Sequence, residues 1–265
     1  MSEAYTPGHS EQAIAFMLRR RLDPNGAFFL PFLRPGISLL DCGCGPGSIT
    51  CDIASHIVPG KVTGLDANPG QLQLAARRAE QMCLENVAFR EGSVYSLPFE
   101  DSSFDALFSH ALLEHLAQPQ RAVDEFFRVL RPGAALGVCT PDWGGFIVSP
   151  QTRALRQAFE AYRSLQERNG GDALAGRKLG DYLQVAGFLD IRQQARYENY
   201  QPRTIIGDFL ALNLEEAGDA RNAATWRAWG RGDRGMFAQA WVSCTGRKPA
   251  TSPPPSPPAS GRRGS

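Results

Sequence analysis

A chain of 265 residues that is 43% hydrophobic and 21% charged is long enough for one α/β domain with a substantial core, and nothing in it demands a second. Its 28 basic and 27 acidic residues leave a formal net charge of +1, so no global field draws in nucleic acid or an anionic membrane. Six cysteines at 42, 44, 51, 83, 139 and 244 have neither the paired spacings of a zinc site nor the density of a disulfide scaffold, so free thiols and no metal are expected.

Residues 1–9, with Pro7-Gly8, read as an arm. Ser10 then caps a helix, with Glu11 in its first turn, running to about Leu22. Ile14, Met17, Leu18 and Leu22 form its apolar stripe, with Arg19 and Arg20 opposite, so Arg19-Arg20-Arg21 reads as a solvated face in preference to a phosphate site. The triplet and Asp23-Pro24-Asn25-Gly26 interrupt every apolar run before Leu30, which rules out a signal-peptide core or a spanning helix and leads to the expectation of a soluble, cytoplasmic protein without membrane insertion.

A short helical piece over 27–33 leads into Ile37-Ser38-Leu39-Leu40-Asp41-Cys42-Gly43-Cys44-Gly45-Pro46-Gly47, a buried strand that feeds a glycine-rich turn and a helix. Alternate glycines let the backbone pass close to a bound molecule. Asp41 would repel a pyrophosphate and suits a cationic ligand; the rival is a tight glycine turn with no ligand. After a helix over 48–57, Lys61–Asp66 is a second strand with an acid at its tip. Asp66 falls nineteen residues after Gly47, close to the interval at which nucleotide-binding folds set an acid against ribose hydroxyls. Asp66 could instead be a helix N-cap, though Asn68 before Pro69 fills that role better.

Helix 69–82 precedes a strand over 87–90, and Gly92-Ser93-Val94 stands at its end. A turn leads from Leu97-Pro98-Phe99 into a strand over Phe104–His110, followed by Leu113-Glu114-His115-Leu116, a helix from Pro119 and a fifth strand over 134–140. Asp142-Trp143-Gly144-Gly145-Phe146 reads as a loop at the end of that strand, placed to line a substrate pocket. Helices over 151–168 and 178–186, a strand over 190–197, helices over 208–216 and 225–229 that can form a lid, and a last strand over 236–246 complete the ordered chain. Pro249–Ser265 is proline-rich with little to bury and is expected to be disordered. The alternation predicts a parallel doubly wound sheet with ligands outside the carboxyl ends of its strands, where Asp41, Asp66, Ser93 and His110 all fall.

The acid followed by Gly43-x-Gly45-x-Gly47 resembles the first motif of the class I S-adenosylmethionine-dependent methyltransferases, and Leu97-Pro98-Phe99 with Phe104-Asp105 resembles an element of the type 11, small-molecule family. The resemblance implies a Rossmann-like seven-stranded doubly wound sheet, mostly parallel with an antiparallel last strand. It also implies an N-terminal helical arm or lid over 1–34 and a methyltransferase domain over 35–248 with a helical substrate cover around 143–230. The implied cofactor is S-adenosyl-L-methionine, held by Asp41, Gly43, Cys44, Gly45 and Gly47, by Asp66, Ala67 and Gln71, by Ser93 and Val94, and by His110. Ser93 stands where the family has an acid that accepts from the adenine amine. Tyr5 and His9 resemble residues that close over the cofactor in small-molecule enzymes.

His110 is the candidate general base, against which stands a plain packing role; His115 reads as structural. The expected activity is methyl transfer to a small organic acceptor, a specialised metabolite or a quinone or lipid intermediate, with no nucleic-acid partner. The alternatives are a protein or RNA methyltransferase and a noncatalytic cofactor-binding module. An NAD-dependent dehydrogenase would need Gly-x-Gly-x-x-Gly, but Ser48 follows Gly47. The acceptor, the atom methylated and the oligomeric state stay open.

Overall fold

The computed structural model describes residues 4–250. Apolar runs form the strands β1 (Ser38–Cys42), β2 (Lys61–Asp66), β3 (Val87–Glu91), β4 (Phe104–His110), β5 (Leu130–Ser149), β6 (Leu189–Asn199) and β7 (Met236–Arg247). They join one sheet in the order β3-β2-β1-β4-β5-β7-β6. Strands β1 to β5 pair in parallel, whereas β7 lies antiparallel between β5 and β6. The strand order reverses between β1 and β4, and a crevice opens beyond the carboxyl ends at such a switch point.

Among the described residues nine α-helices flank the sheet: α1 (Glu11–Met17), α2 (Leu22–Asn25), α3 (Ser48–His56), α4 (Pro69–Gln81), α5 (Pro119–Val129), α6 (Arg153–Arg168), α7 (Ala175–Ala186), α8 (Thr204–Glu216) and α9 (Ala220–Arg231). Alternation along the strands sends side chains to both faces. Leu40 and Leu107 join Val123 and Phe126 of α5 and Leu179 and Leu183 of α7. Their neighbours Leu39 and Phe108 turn the other way, to Phe29 and to Ile53 of α3. A separate core, built on Tyr162, Trp226 and Phe237, unites α6, α8 and α9 with the far ends of β5 and β7.

Two expected elements change. The first helix stops at Met17 rather than Leu22, although Ser10 caps it as expected by accepting from the Ala13 amide. The fifth strand does not end at Thr140. β7 is long enough to keep pairing, so β5 continues to Ser149 with a bulge between Asp142 and Ile147, and the glycine-aromatic segment lies inside the strand. The Asp142 carboxylate holds that bulge by accepting from the Gly144 amide at 2.9 Å and from Arg177 Nε and Nη2 at 2.8 Å each.

Among the described residues no helix is long and apolar enough to cross a membrane. The expected tail, from residue 251 onward, lies outside the described residues.

Candidate active site

The glycine loop leaves the tip of β1 and is tied to the tip of β2. The Gly43 and Cys44 amides donate to the Leu65 carbonyl at 2.8 and 3.0 Å, and the Gly45 amide donates to Asp66 Oδ2 at 2.9 Å. The other oxygen of Asp66 accepts from the Asn68 amide at 2.9 Å. Asn68 itself caps α4 by accepting from the Gln71 amide. Gly43 and Gly45 hold φ of +73° and +52°, a left-handed backbone that side chains rarely adopt.

Asp41, at the tip of β1, is buried and accepts from Thr50 Oγ1 of α3 at 2.6 Å. Burial pushes its pKa up to about 7, against the Thr50 hydrogen bond and with the help of the nearby Asp66 charge. A carboxylate in this state is stabilised by an arriving cation.

A cavity of about 440 Å³ opens over these tips. Of the residues named from sequence, Asp41, Gly43, Cys44, Gly45, Asp66, Ala67, Gln71, Ser93, Val94, His110, Tyr5 and His9 all line it. Gly47 is not among the lining residues. A Cβ on Gly47 would stand 2.7 Å from Ala75 Cβ, so its lack of a side chain serves close packing of the loop on α4.

The N-terminal arm forms one wall. Tyr5 stacks on His9 at 5.3 Å and meets His115 edge-on at 4.6 Å, and His9 Nδ1 lies 3.2 Å from Gln71 Nε2. Gln71 is buried with its Oε1 unpartnered. Ser93 is exposed, and its Oγ accepts from the Tyr95 amide at 3.2 Å.

His110 is buried at the tip of β4 and stacks on Trp241 at 4.8 Å. Neither ring nitrogen has a hydrogen-bond partner. Burial holds its pKa well below the usual imidazole value, with the charges of Arg20 and Arg196 adding to the effect. The imidazole is therefore neutral at physiological pH and has no carboxylate to orient it, unlike the activated bases of acyl-transfer sites.

Past the Trp241 ring lies a second, small chamber of about 20 Å³, lined by Phe16, Trp143, Tyr162, Tyr200, Phe209 and Trp241 among others. Glu114 also faces it; this buried acid is hydrogen-bonded by Thr140 Oγ1 and lies 3.4 Å from His115 Nε2. Burial raises the Glu114 pKa to about 7, against the Thr140 hydrogen bond.

Sequence reasoning missed Met17, Arg20, Thr50 and Trp241. Arg20 had read as part of a solvated face. With the helix ending at Met17, the next residues leave the helical path and Arg20 turns inward to line both cavities. Its neighbour Arg21 instead pairs with Asp52 at 2.8 Å. Thr50 carried a readable signal, because a hydroxyl one helical turn into α3 faces the strand tip it follows. Trp241 carried none, since only the antiparallel insertion of β7 brings it to β4.

A family model described as a methyltransferase domain matches residues 33–200. An uncharacterized methyltransferase of Schizosaccharomyces pombe is 37% identical over 79% of this chain and 84% of its own length. A demethylmenaquinone methyltransferase of Lactococcus lactis is 30% identical over 60% of this chain and 68% of its own length. The chain spans a smaller share of another relative, an uncharacterized protein encoded in a transposon of Streptomyces fradiae, which is 35% identical over 58% of this chain and 44% of its own length. Among solved structures, phosphoethanolamine N-methyltransferase 2 of Haemonchus contortus in complex with S-adenosyl-L-methionine shares the fold at a TM-score of 0.57 and 21% identity, over 86% of this chain and 52% of that one.

Proposed function

This chain belongs to the class I S-adenosylmethionine-dependent methyltransferases, and from that premise we propose that it methylates a small organic acceptor seated beyond the tip of β4. The observation that carries this reading is the junction at Arg20 and His115, which line both spaces, beside the Trp241 ring on which His110 stacks. On one side lies a cavity with two carboxylates and an open glycine loop, and on the other a chamber walled by aromatic rings.

The residues fit the cofactor. Asp41 faces the cavity as a buried acid without a cationic partner, which suits the ammonium group. Asp66 keeps free lone pairs beyond its two amide bonds, which suits ribose hydroxyls. Gly45 leaves room, since a Cβ there would meet only Met17 Sδ at 3.9 Å. Gln71, which lines the cavity, keeps an unpartnered Oε1, and Ser93 with Val94 is assigned to the adenine. When bound, the cofactor supplies an electrophilic methyl group with a good leaving group.

The protein's own residues then have a modest task. They hold the acceptor in line and keep out water, which accounts for about 7–11 kcal/mol of barrier in the best-oriented cases. Tyr5 and His9 close the cavity from the arm. His110 takes a hydrogen bond from the acceptor's hydroxyl or amine; its depressed pKa makes it a weak base, so proximity is given the larger share. Phe16 and Phe209, stacked at 4.0 Å, wall the small chamber against which the acceptor packs.

The narrow aromatic chamber and the balanced charge favour a small molecule over a protein or RNA. The relative named for demethylmenaquinone lends support to a quinone-like acceptor. The test is transfer of a labelled methyl group into fractionated small metabolites, run beside protein and RNA fractions. Label appearing only in a macromolecular fraction would overturn the small-acceptor reading.

A further inference from the structure

One charged side chain at the junction has no assigned task. Arg20 lines both the large cavity and the aromatic chamber. Its guanidinium carbon lies 5.5 Å from the centroid of the Trp241 ring and 5.9 Å from that of Phe16. Among the described residues no carboxylate pairs with it and no acceptor takes a hydrogen bond from its guanidinium. Ring contacts of this kind are weak and leave all five guanidinium donors unused.

The acid facing the same chamber is a poor counter-ion. Glu114 is committed to Thr140 and His115, and its burial favours the neutral form. The chamber thus presents a cation between two aromatic faces, with two neutral histidines nearby.

Resting on the methyl-transfer reading, we propose that Arg20 is a specificity residue of the acceptor site and anchors an anionic oxygen, carboxylate or phenolate, on an aromatic acceptor packed against Trp241 and Phe16. The planar guanidinium fork matches a carboxylate in two-point fashion. An acceptor that arrives ionised needs no base, which agrees with a His110 held neutral and unoriented.

A carboxylate could also come from the cofactor's own methionine end. Position favours the acceptor: Trp241, the ring nearest the guanidinium, lines the chamber and not the larger cavity. The field of Arg20 reaches Glu114, Tyr162 and Tyr200 of the chamber and Tyr5 and His110 of the larger cavity, but the shift at Asp41, where the cofactor's ammonium would lie, arises from burial, Thr50 and Asp66.

The test uses the purified full chain and two near-isosteric probes, 1-naphthoate and 1-naphthamide, followed by tryptophan fluorescence with and without saturating S-adenosylhomocysteine. The wild type should bind the acid at least ~10-fold more tightly than the amide, Arg20→Met should abolish that preference, and Arg20→Lys should keep part of it. Equal affinities in the wild type, or binding of neither probe, would overturn the proposal. So would an Arg20→Met protein that keeps the preference but binds S-adenosylhomocysteine more than ~10-fold less tightly in calorimetry, because the guanidinium would then serve the cofactor. Failure of the wild type to bind S-adenosylhomocysteine at all would strike the methyl-transfer reading instead, and the naphthoate titration without it decides the anion preference independently.

Discussion

Asp41 carries a conflict between stability and function. Its carboxyl, with an ordinary value of 3.8, is pushed up to about 7 by burial, so the folded chain holds a proton that the unfolded chain releases between those values. Ionised Asp41 therefore lowers the stability of the cofactor-free protein progressively from about pH 4 to pH 7, and the deficit is constant above that. Asp41→Asn should be more stable than the wild type, by on the order of a few kcal/mol at pH 8 and by little at pH 4; thermal melts across that range check both ends. The same substitution should weaken S-adenosylmethionine binding by at least ~10-fold through loss of a charged contact, and wild-type affinity should fall as pH drops below 7. Asp66→Ala should weaken binding by a similar factor, and an unchanged affinity in calorimetry would remove the ribose role proposed for it. Both acids were legible in the sequence because each ends an apolar strand that runs straight into a turn. Arg20 was not, since its direction depends on where α1 stops.

The elements were legible where local signals agree and illegible where a distant partner decides. Ser10, and Asn68 before Pro69, cap their helices as their chemistry dictates. The continuation of β5 past Thr140 could not be read, because its cause is the matching length of β7 almost a hundred residues later. Gly47 shows the same limit: its sequence pattern groups it with Gly43 and Gly45, yet packing separates it from them. Gly47→Ala sets a Cβ 2.7 Å from Ala75 Cβ at a φ of +76° and should lower stability by about 1–3 kcal/mol, read from denaturant unfolding. Cofactor affinity should change far less than for Asp66→Ala. At the β5 bulge, Arg177→Met removes two charged hydrogen bonds from the buried Asp142 carboxylate. Burial alone would raise that carboxyl's pKa, but the Arg177 guanidinium outweighs it and holds the value below the usual range. The substitution should cost about 1–3 kcal/mol at pH 7. The difference from wild type should shrink as pH falls below about 4, where the carboxylate protonates in either protein.

Across the whole molecule, the order β3-β2-β1-β4-β5-β7-β6 gathers four strand tips at one edge, and the arm and the α6, α8, α9 core close over them from outside the sheet. The buried histidines balance the buried acids. His110 and His115 are held below their usual value, so they favour folding as pH rises toward 6.5, in the window where Asp41 and Glu114 oppose it. These titrating groups all line one or other of the two cavities, where a cationic cofactor and its acceptor would meet. The central claim is that this edge grips S-adenosylmethionine through its carboxylates, and isothermal calorimetry of the wild-type chain tests it most directly. Saturable one-to-one heats are expected with S-adenosylmethionine and S-adenosylhomocysteine and none with NADH; heat from NADH alone would refute the carboxylate grip.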